Sequence, residues 1–159
     1  MTDSIRPAVA ADLPAIAALV GRAYAPYVAR IGRRPAPMDA DFAAHVADGE
    51  AFVLEIDGAL AGLIVWRVET DHGFVDNVAV DPARQGRGVG RRLLARVEAD
   101  AKRRGLAELR LYTNAKMTEN LTLYPKLGWT ETERRVEDGF DRVFFRKRLD
   151  PGPESRIVR

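Results

Sequence analysis

The sequence predicts an α/β (α+β) fold: one mixed β-sheet with helices packed on it, the elements running β-α-α-β-β-β-α-β-α-β-β. Three observations predict it. Two apolar runs, AFVLEI and ALAGLIVWRVE, are joined by Asp57-Gly58, the clearest hairpin signal in the chain. The strand-like GFVDNVAV leads through a helical pattern into AELRLYTN, and such a strand–helix–strand unit calls for a right-handed parallel crossover. Two last strand patterns flank the turn Glu137-Asp138-Gly139.

The chain opens with SIRPAVA, Ser4 to Ala10, read as a short strand. Asp12 is placed as a helix N-cap, with Pro14 in the first turn, where a missing N–H does little harm. Leu13, Ile16, Ala17, Val20 and Tyr24 then follow helical spacing. APYVARIGRRPAPM, with three prolines and a glycine, reads as a loop. A short helix from about Asp39 to Asp48 closes on Gly49. After the hairpin comes the strand Gly73 to Val80, ended by Asp81-Pro82. The next helix carries Val89, Leu93, Leu94, Val97 and Ala101 on one face, and Gly105 stops it. Thr118 is placed as the cap of a last short helix in TENLTLYPKLGW. The final strands run from about Thr130 to Val136 and from Phe140 to Arg148.

With 159 residues the chain has room for one domain with its own core, and no repeat or linker divides it. The domain is read as residues 2–149, and the unpatterned DPGPESRIVR, residues 150–159, as a mobile tail. Hydrophobic residues at 47% and charged residues at 30% exclude a disordered chain. No apolar run approaches the roughly 20 residues that cross a bilayer. The N-terminus lacks the basic-then-apolar order of a signal peptide. Cysteine is absent, which rules out disulfides, thiolate metal sites and a cysteine nucleophile, and fits a reducing, cytoplasmic setting. Two histidines far apart in sequence imply no metal site.

Twenty-five Lys and Arg against 23 Asp and Glu leave a net charge of only +2. The local pattern says more: Arg84, Arg87, Arg91 and Arg92 crowd one segment, so a ligand there is expected to be anionic. The helix from Arg84 to Arg104 also holds Glu98 and Asp100 and interleaves no aromatics, which argues against nucleic acid as a partner.

That segment is DPARQGRGVGRRLL, Asp81 to Leu94. Gly86, Gly88 and Gly90 fall at alternate positions between a Val-rich strand and an amphipathic helix. Glycine permits φ > 0 and lets a ligand come close to the backbone. Successive N–H groups at a helix N-terminus bind phosphate oxygens. The segment is no Walker P-loop, for it lacks Gly-Lys-Ser/Thr, and its G-x-G-x-G spacing is not the dinucleotide fingerprint.

VAVDPARQGRGVGRRLL resembles the acyl-CoA-binding motif of the GNAT superfamily of N-acetyltransferases, Gln/Arg-x-x-Gly-x-Gly/Ala, with Gln85, Gly88 and Gly90 at the matching positions. The likeness runs from IRPAVAADLPAI to RVFFRKRL and includes MTENLTLYPKLGW downstream. The resemblance implies the GNAT fold, a six- to seven-stranded splayed sheet flanked by about four helices, with acetyl-CoA as co-substrate. It implies that backbone N–H groups of Gln85, Gly86, Arg87, Gly88, Val89, Gly90 and Arg91 hold the pyrophosphate. Val78, Ala79 and Val80 would pair through their backbone with the pantetheine arm. The sheet would splay between that strand and LRLYTN, which ends at Asn114; Asn114 and Asn120 are placed at the coenzyme.

Acetyl transfer to an amine sets three tasks. The amine, with a pKa of roughly 10, must lose a proton. The carbonyl oxygen of the thioester gains charge and needs N–H donors. The departing thiolate benefits from a proton. The resemblance gives the last task to Tyr124 in LYPKLGW, the alternative being a half-buried aromatic with a satisfied hydroxyl. Pro125 departs from the pattern and shortens or distorts the helix there. Val78 N–H is the implied oxyanion donor.

For the base, positions 74, 76, 78 and 80 share a strand face, and Asp76 interrupts its apolar character, which costs energy unless the carboxylate is solvated or paired. Family members often carry glutamate there, so the shorter Asp76 suggests a water relay. Glu69 and His72 are the alternatives. Without cysteine, direct attack in a ternary complex is expected.

The expected acceptor is a primary amine of a small metabolite, with a protein N-terminus or lysine as the variant. A non-catalytic acyl-CoA-binding sensor is the rival function. Tyr24, Tyr27 and Phe42 are candidates for an acceptor slot, and Arg30, Arg33 and Arg34 for meeting an acidic group on it, unless that stretch is simply a solvated loop. Homodimers among relatives make a homodimer compatible by analogy. No membrane partner is expected.

Overall fold

The structure, a computed structural model, describes residues 3–149. The tail read at 150–159 and the first residue of the expected domain lie outside the described residues. The strands are β1 (Asp3–Pro7), β2 (Ala51–Ile56), β3 (Ala59–Val68), β4 (Gly73–Val80), β5 (Glu108–Asn114), β6 (Thr130–Glu137) and β7 (Phe140–Arg148). The helices are α1 (Leu13–Ile31), α2 (Phe42–Ala47), α3 (Val89–Arg103) and α4 (Thr118–Lys126). This is the element order that the sequence predicts. The seven strands form one sheet in the order β1-β2-β3-β4-β5-β7-β6.

The hairpin signal is borne out. Asp57 and Gly58 both take positive φ, 50° and 84°, as a two-residue turn between twisted strands requires. Asp138 and Gly139, at 52° and 79°, repeat the device between β6 and β7. β4 and β5 run parallel, registered at Gly73 with Leu109 and Phe74 with Arg110.

One expectation fails. The stretch read as a loop is helical as far as Ile31, with Pro26 inside α1. A proline's fixed φ is itself helical and its ring removes only one ladder bond, so neighbours with good helical spacing can carry the helix past it. The stop comes at Gly32, left-handed at φ 90°, whose N–H donates to the Val28 carbonyl. Two caps also differ from expectation. Asp12 makes no side-chain cap on α1; its carboxylate instead accepts from Val9 N at 2.8 Å and pairs with Arg6 at 2.8 Å. The residue that caps α4 is Met117, with Thr118 already helical.

The chain falls into two compact units. The first holds the chain through Trp66 together with Asn77–Leu94. Ile16 and Leu19 of α1, Val53 and Leu54 of β2, and Leu63 to Val65 of β3 are buried in its core. Gly62 on β3 matters there: a Cβ would lie 2.7 Å from Val89 Cγ1 and 2.9 Å from Leu93 Cδ1, so bare backbone lets the start of α3 lie close to the strand.

The second unit holds Arg67–Asp76 and the chain from Ala95. Leu109, Leu111, Val143 and Phe145 are buried on one side of its strands. The alternate positions carry a stack of Phe74, Tyr112 and Phe144, with ring centroids 5.8 and 5.5 Å apart. Guanidinium groups of Arg67, Arg142 and Arg135 lie over those three rings at 4.9, 4.3 and 4.2 Å. β6 is an edge strand of the sheet, and every residue from Thr130 to Val136 is exposed.

Candidate active site

In β4, burial alternates residue by residue: Gly73, Val75, Asn77 and Ala79 are buried, while Phe74, Asp76, Val78 and Val80 are half-buried. The period of two puts Asp76, Val78 and Val80 on one face, as the sequence predicts.

Within the first unit, β4 runs into Asp81, which organises the turn that follows. Its Oδ1 accepts from Ala83 N at 3.0 Å and its Oδ2 from Arg22 Nη2 at 3.0 Å, while its own N–H donates to the Ala61 carbonyl. The Ala83 N–H above all, and then the Arg22 guanidinium, hold the Asp81 carboxyl below the usual carboxylate range. After the 3-10 turn Pro82–Arg84, Gln85 returns to extended backbone and is exposed.

Gly86 and Gly88 take left-handed φ of 79° and 77°, with no atom of the described residues within 4 Å of where a Cβ would stand. Gly90 differs. It lies in the first turn of α3 without a positive φ, and a Cβ there would meet only Val80 Cγ2, at an ordinary 3.5 Å. Neither conformation nor internal packing demands glycine at position 90. Arg87 and Arg91 are exposed and have no carboxylate partner among the described residues, whereas Arg92 is held by Asp3 at 2.8 Å. The segment therefore presents backbone N–H groups, a helix N-terminus and two unpaired guanidiniums, an arrangement suited to phosphate oxygens.

The second unit holds Asp76, Asn114, Asn120 and Tyr124. Tyr124 is buried, its ring packed edge-on to Trp129 at 5.8 Å and tilted against Phe145 at 5.6 Å. Burial pushes its hydroxyl up to about 12. Asp76 Oδ2 accepts from Arg67 Nη1 at 3.0 Å, and Arg67 Nε donates to Glu69 at 2.9 Å. The carboxylate on the strand face is thus paired, as its cost there requires. His72 Nδ1 sits 2.8 Å from Asp71 Oδ1, in the turn that closes on the Glu69 N–H and His72 carbonyl.

Asn114 Oδ1 accepts from Lys116 N at 2.9 Å, and Asn120 Nδ2 donates to Thr113 Oγ1 at 3.0 Å. Both amides shape the corner between β5 and α4. Of the residues read as an acceptor slot, Tyr27 lies under the Arg30 guanidinium at 4.9 Å, Phe42 meets His45 edge-on at 6.2 Å, and Arg34 pairs with Asp39 at 3.0 Å. Tyr24 has a different employment. Its hydroxyl lies 2.8 Å from Asn77 Oδ1 and 2.9 Å from the Val78 carbonyl oxygen. The one signal for Asn77 in the sequence is an amide on the strand face that otherwise carries Val75 and Ala79. Among the described residues no group of three or more His, Asp or Glu could hold a metal ion.

The family model for the acetyltransferase (GNAT) family matches residues 18–129. The chain belongs to that family. The fold agrees with solved members: the ribosomal-protein-S18-alanine N-acetyltransferase of Escherichia coli superposes with a TM-score of 0.76 at 28% identity, over 96% of this chain and 97% of that one. A curated relative from Escherichia coli strain K12, the [ribosomal protein bS18]-alanine N-acetyltransferase, is 34% identical over 84 residues, which are 53% of this chain and 57% of the relative. The match therefore spans little more than half of that relative's length. The Salmonella typhimurium protein yncA, solved with its cofactor acetyl-CoA, gives a TM-score of 0.71 at 25% identity, over 96% of this chain and 97% of that one.

Proposed function

We propose that this chain is an acetyl-CoA-dependent N-acetyltransferase, an acyltransferase whose acceptor is a primary amine of a small metabolite, attacked directly in a ternary complex. The two compact units together constitute its single domain. The observation that carries the reading is Gly90, glycine without an internal cause, two and four residues after two open left-handed glycines. The Salmonella relative solved with acetyl-CoA supports the choice of ligand.

Acetyl-CoA supplies an acyl thioester. Backbone N–H groups from Gly86 to Arg91 bind its diphosphate, the Gln85 N–H being already given to the Pro82 carbonyl at 3.4 Å, and the backbone of Val78 to Val80 orients the pantetheine arm. Val78 N–H donates to the thioester carbonyl oxygen. Tyr124 holds a proton at its hydroxyl for the sulfur, and a hydroxyl at about 12 keeps that proton at neutral pH. Asp76, held by Arg67, takes the amine proton through a water. Asn114 and Asn120 brace the corner from which α4 departs.

A second acceptor class, the N-terminus of a protein, is favoured by the likeness to the bS18-alanine enzyme. Calorimetry with coenzyme A, followed by thiol release from acetyl-CoA over small amines and an alanine-initiated peptide, tests both points. Heat of binding with thiol release upholds the enzyme; heat without release over that panel favours the acyl-CoA sensor. No heat at all would remove the coenzyme and the reaction together.

A further inference from the structure

Tyr24 of α1 places its hydroxyl between two acceptors on β4, Asn77 Oδ1 and the Val78 carbonyl oxygen. Two residues earlier, Arg22 meets Asp81 at 3.0 Å. One helix thus holds β4 at Asn77 and Val78 and the chain at Asp81, just past the strand's end. A hydroxyl has one proton, so the two oxygens compete for it. Tyr24 and Asn77 are both buried, and Asn77 Nδ2 is buried with no hydrogen-bond partner among the described residues. A buried unsatisfied amide costs free energy, so its presence beside this particular carbonyl calls for a reason.

We propose that the Tyr24 hydroxyl is a positioning group for the Val78–Ala79 peptide, with Asn77 Oδ1 as the alternative acceptor of its proton. The inference rests on the reading that Val78 to Val80 orient the pantetheine arm. A hydrogen bond to the Val78 carbonyl fixes the whole planar unit, the Ala79 N–H included, because rotation within a peptide bond is blocked. An arm that pairs with backbone needs its partner amides and carbonyls held in one orientation before it arrives. Asn77 gives the hydroxyl somewhere to go when the Val78 carbonyl turns away. Free Nδ2 is the cost of keeping that second acceptor in a dry place.

Calorimetry with two ligands tests this. Coenzyme A carries diphosphate and pantetheine; ADP carries a diphosphate and no pantetheine. Tyr24→Phe keeps the ring and removes the hydroxyl, so it should weaken coenzyme A binding about tenfold and leave ADP affinity unchanged. Asn77→Leu removes the competing acceptor and the unsatisfied amide, and should retain coenzyme A affinity at or above that of the unaltered protein. Thermal midpoints of both variants show that they fold. Equal losses for coenzyme A and ADP in Tyr24→Phe, an unchanged coenzyme A affinity, or an Asn77→Leu loss as large as that of Tyr24→Phe overturns the inference. If the unaltered protein binds no coenzyme A, the coenzyme reading fails first and takes this inference with it; if it binds and Tyr24→Phe matches it on both ligands, only the inference falls.

Discussion

Lys147 Nζ donates to the carbonyl oxygen of Leu127 at 2.7 Å, and Glu98 Oε1 of α3 lies 2.8 Å from the same ammonium. Leu127 closes α4, the helix that carries Tyr124. Gly128 follows at φ 93°, where a Cβ would come within 3.2 Å of Lys147 Cε. Lysine, carbonyl and bare glycine form one lock on the end of that helix. Lys147→Met should lower the stability measured by urea unfolding by about 1.5–3 kcal/mol, since it strips a charge-assisted bond from a helix-terminal carbonyl. Glu98→Gln, which leaves the carbonyl bond in place, should cost less.

Gly90 and Gly86 should respond in opposite directions to alanine. At Gly90 the backbone is helical and a methyl fits, so Gly90→Ala should raise stability by about 0.5–1 kcal/mol. The same change should weaken coenzyme A binding, because the methyl stands where the ligand approaches. Gly86→Ala should lower stability by about 1–2 kcal/mol through its left-handed φ alone. Thermal unfolding and calorimetry on the pair check both halves; a Gly90→Ala variant with undiminished affinity would move the ligand elsewhere.

Tyr124 gives a pH dependence with a definite sign. Its hydroxyl titrates near 10.0 when unfolded and is pushed up to about 12 by burial. The folded state holds this proton more tightly, so the contribution is fully present below pH 10 and is lost as pH rises toward 12, amounting to about 3 kcal/mol. The stability of the unaltered protein should therefore fall faster than that of Tyr124→Phe between those values in a series of urea titrations. The same variant should keep coenzyme A affinity and lose rate, about 10²-fold for loss of a general acid.

Gly62→Ala should destabilise by about 1–3 kcal/mol, because its methyl would overlap Val89 and Leu93 and come within 3.3 Å of the Ala79 carbonyl oxygen. Differential scanning calorimetry reads this directly, and an unchanged midpoint would mean that the start of α3 yields easily.

The hairpins and α3 were legible because local chemistry decides them. Asp57-Gly58 and Asp138-Gly139 need positive φ, and Val89, Leu93, Leu94, Val97 and Ala101 share one helical face, all buried. The run past Pro26 was not legible, since proline's local signal says break while the helix needs only one bond fewer. Gly86, Gly88 and Gly90 looked alike in the sequence, yet only the first two are conformational requirements. The contacts of Tyr24 with Asn77 and Val78 span more than fifty residues, and no periodicity records such a meeting. Nor did Asp76 announce its partner Arg67, nine residues away across a turn.

β6 faces outward at the rim of the sheet with Glu131, Glu133, Arg134 and Arg135 all exposed, and with side chains of both signs along it. A stray strand seeking the open backbone of that rim would have to strip water from those groups before its first hydrogen bond formed. Crowded solutions of this protein should for that reason resist seeding ordered aggregates from this edge, and neutralising the rim to Gln should be enough to bring turbidity on.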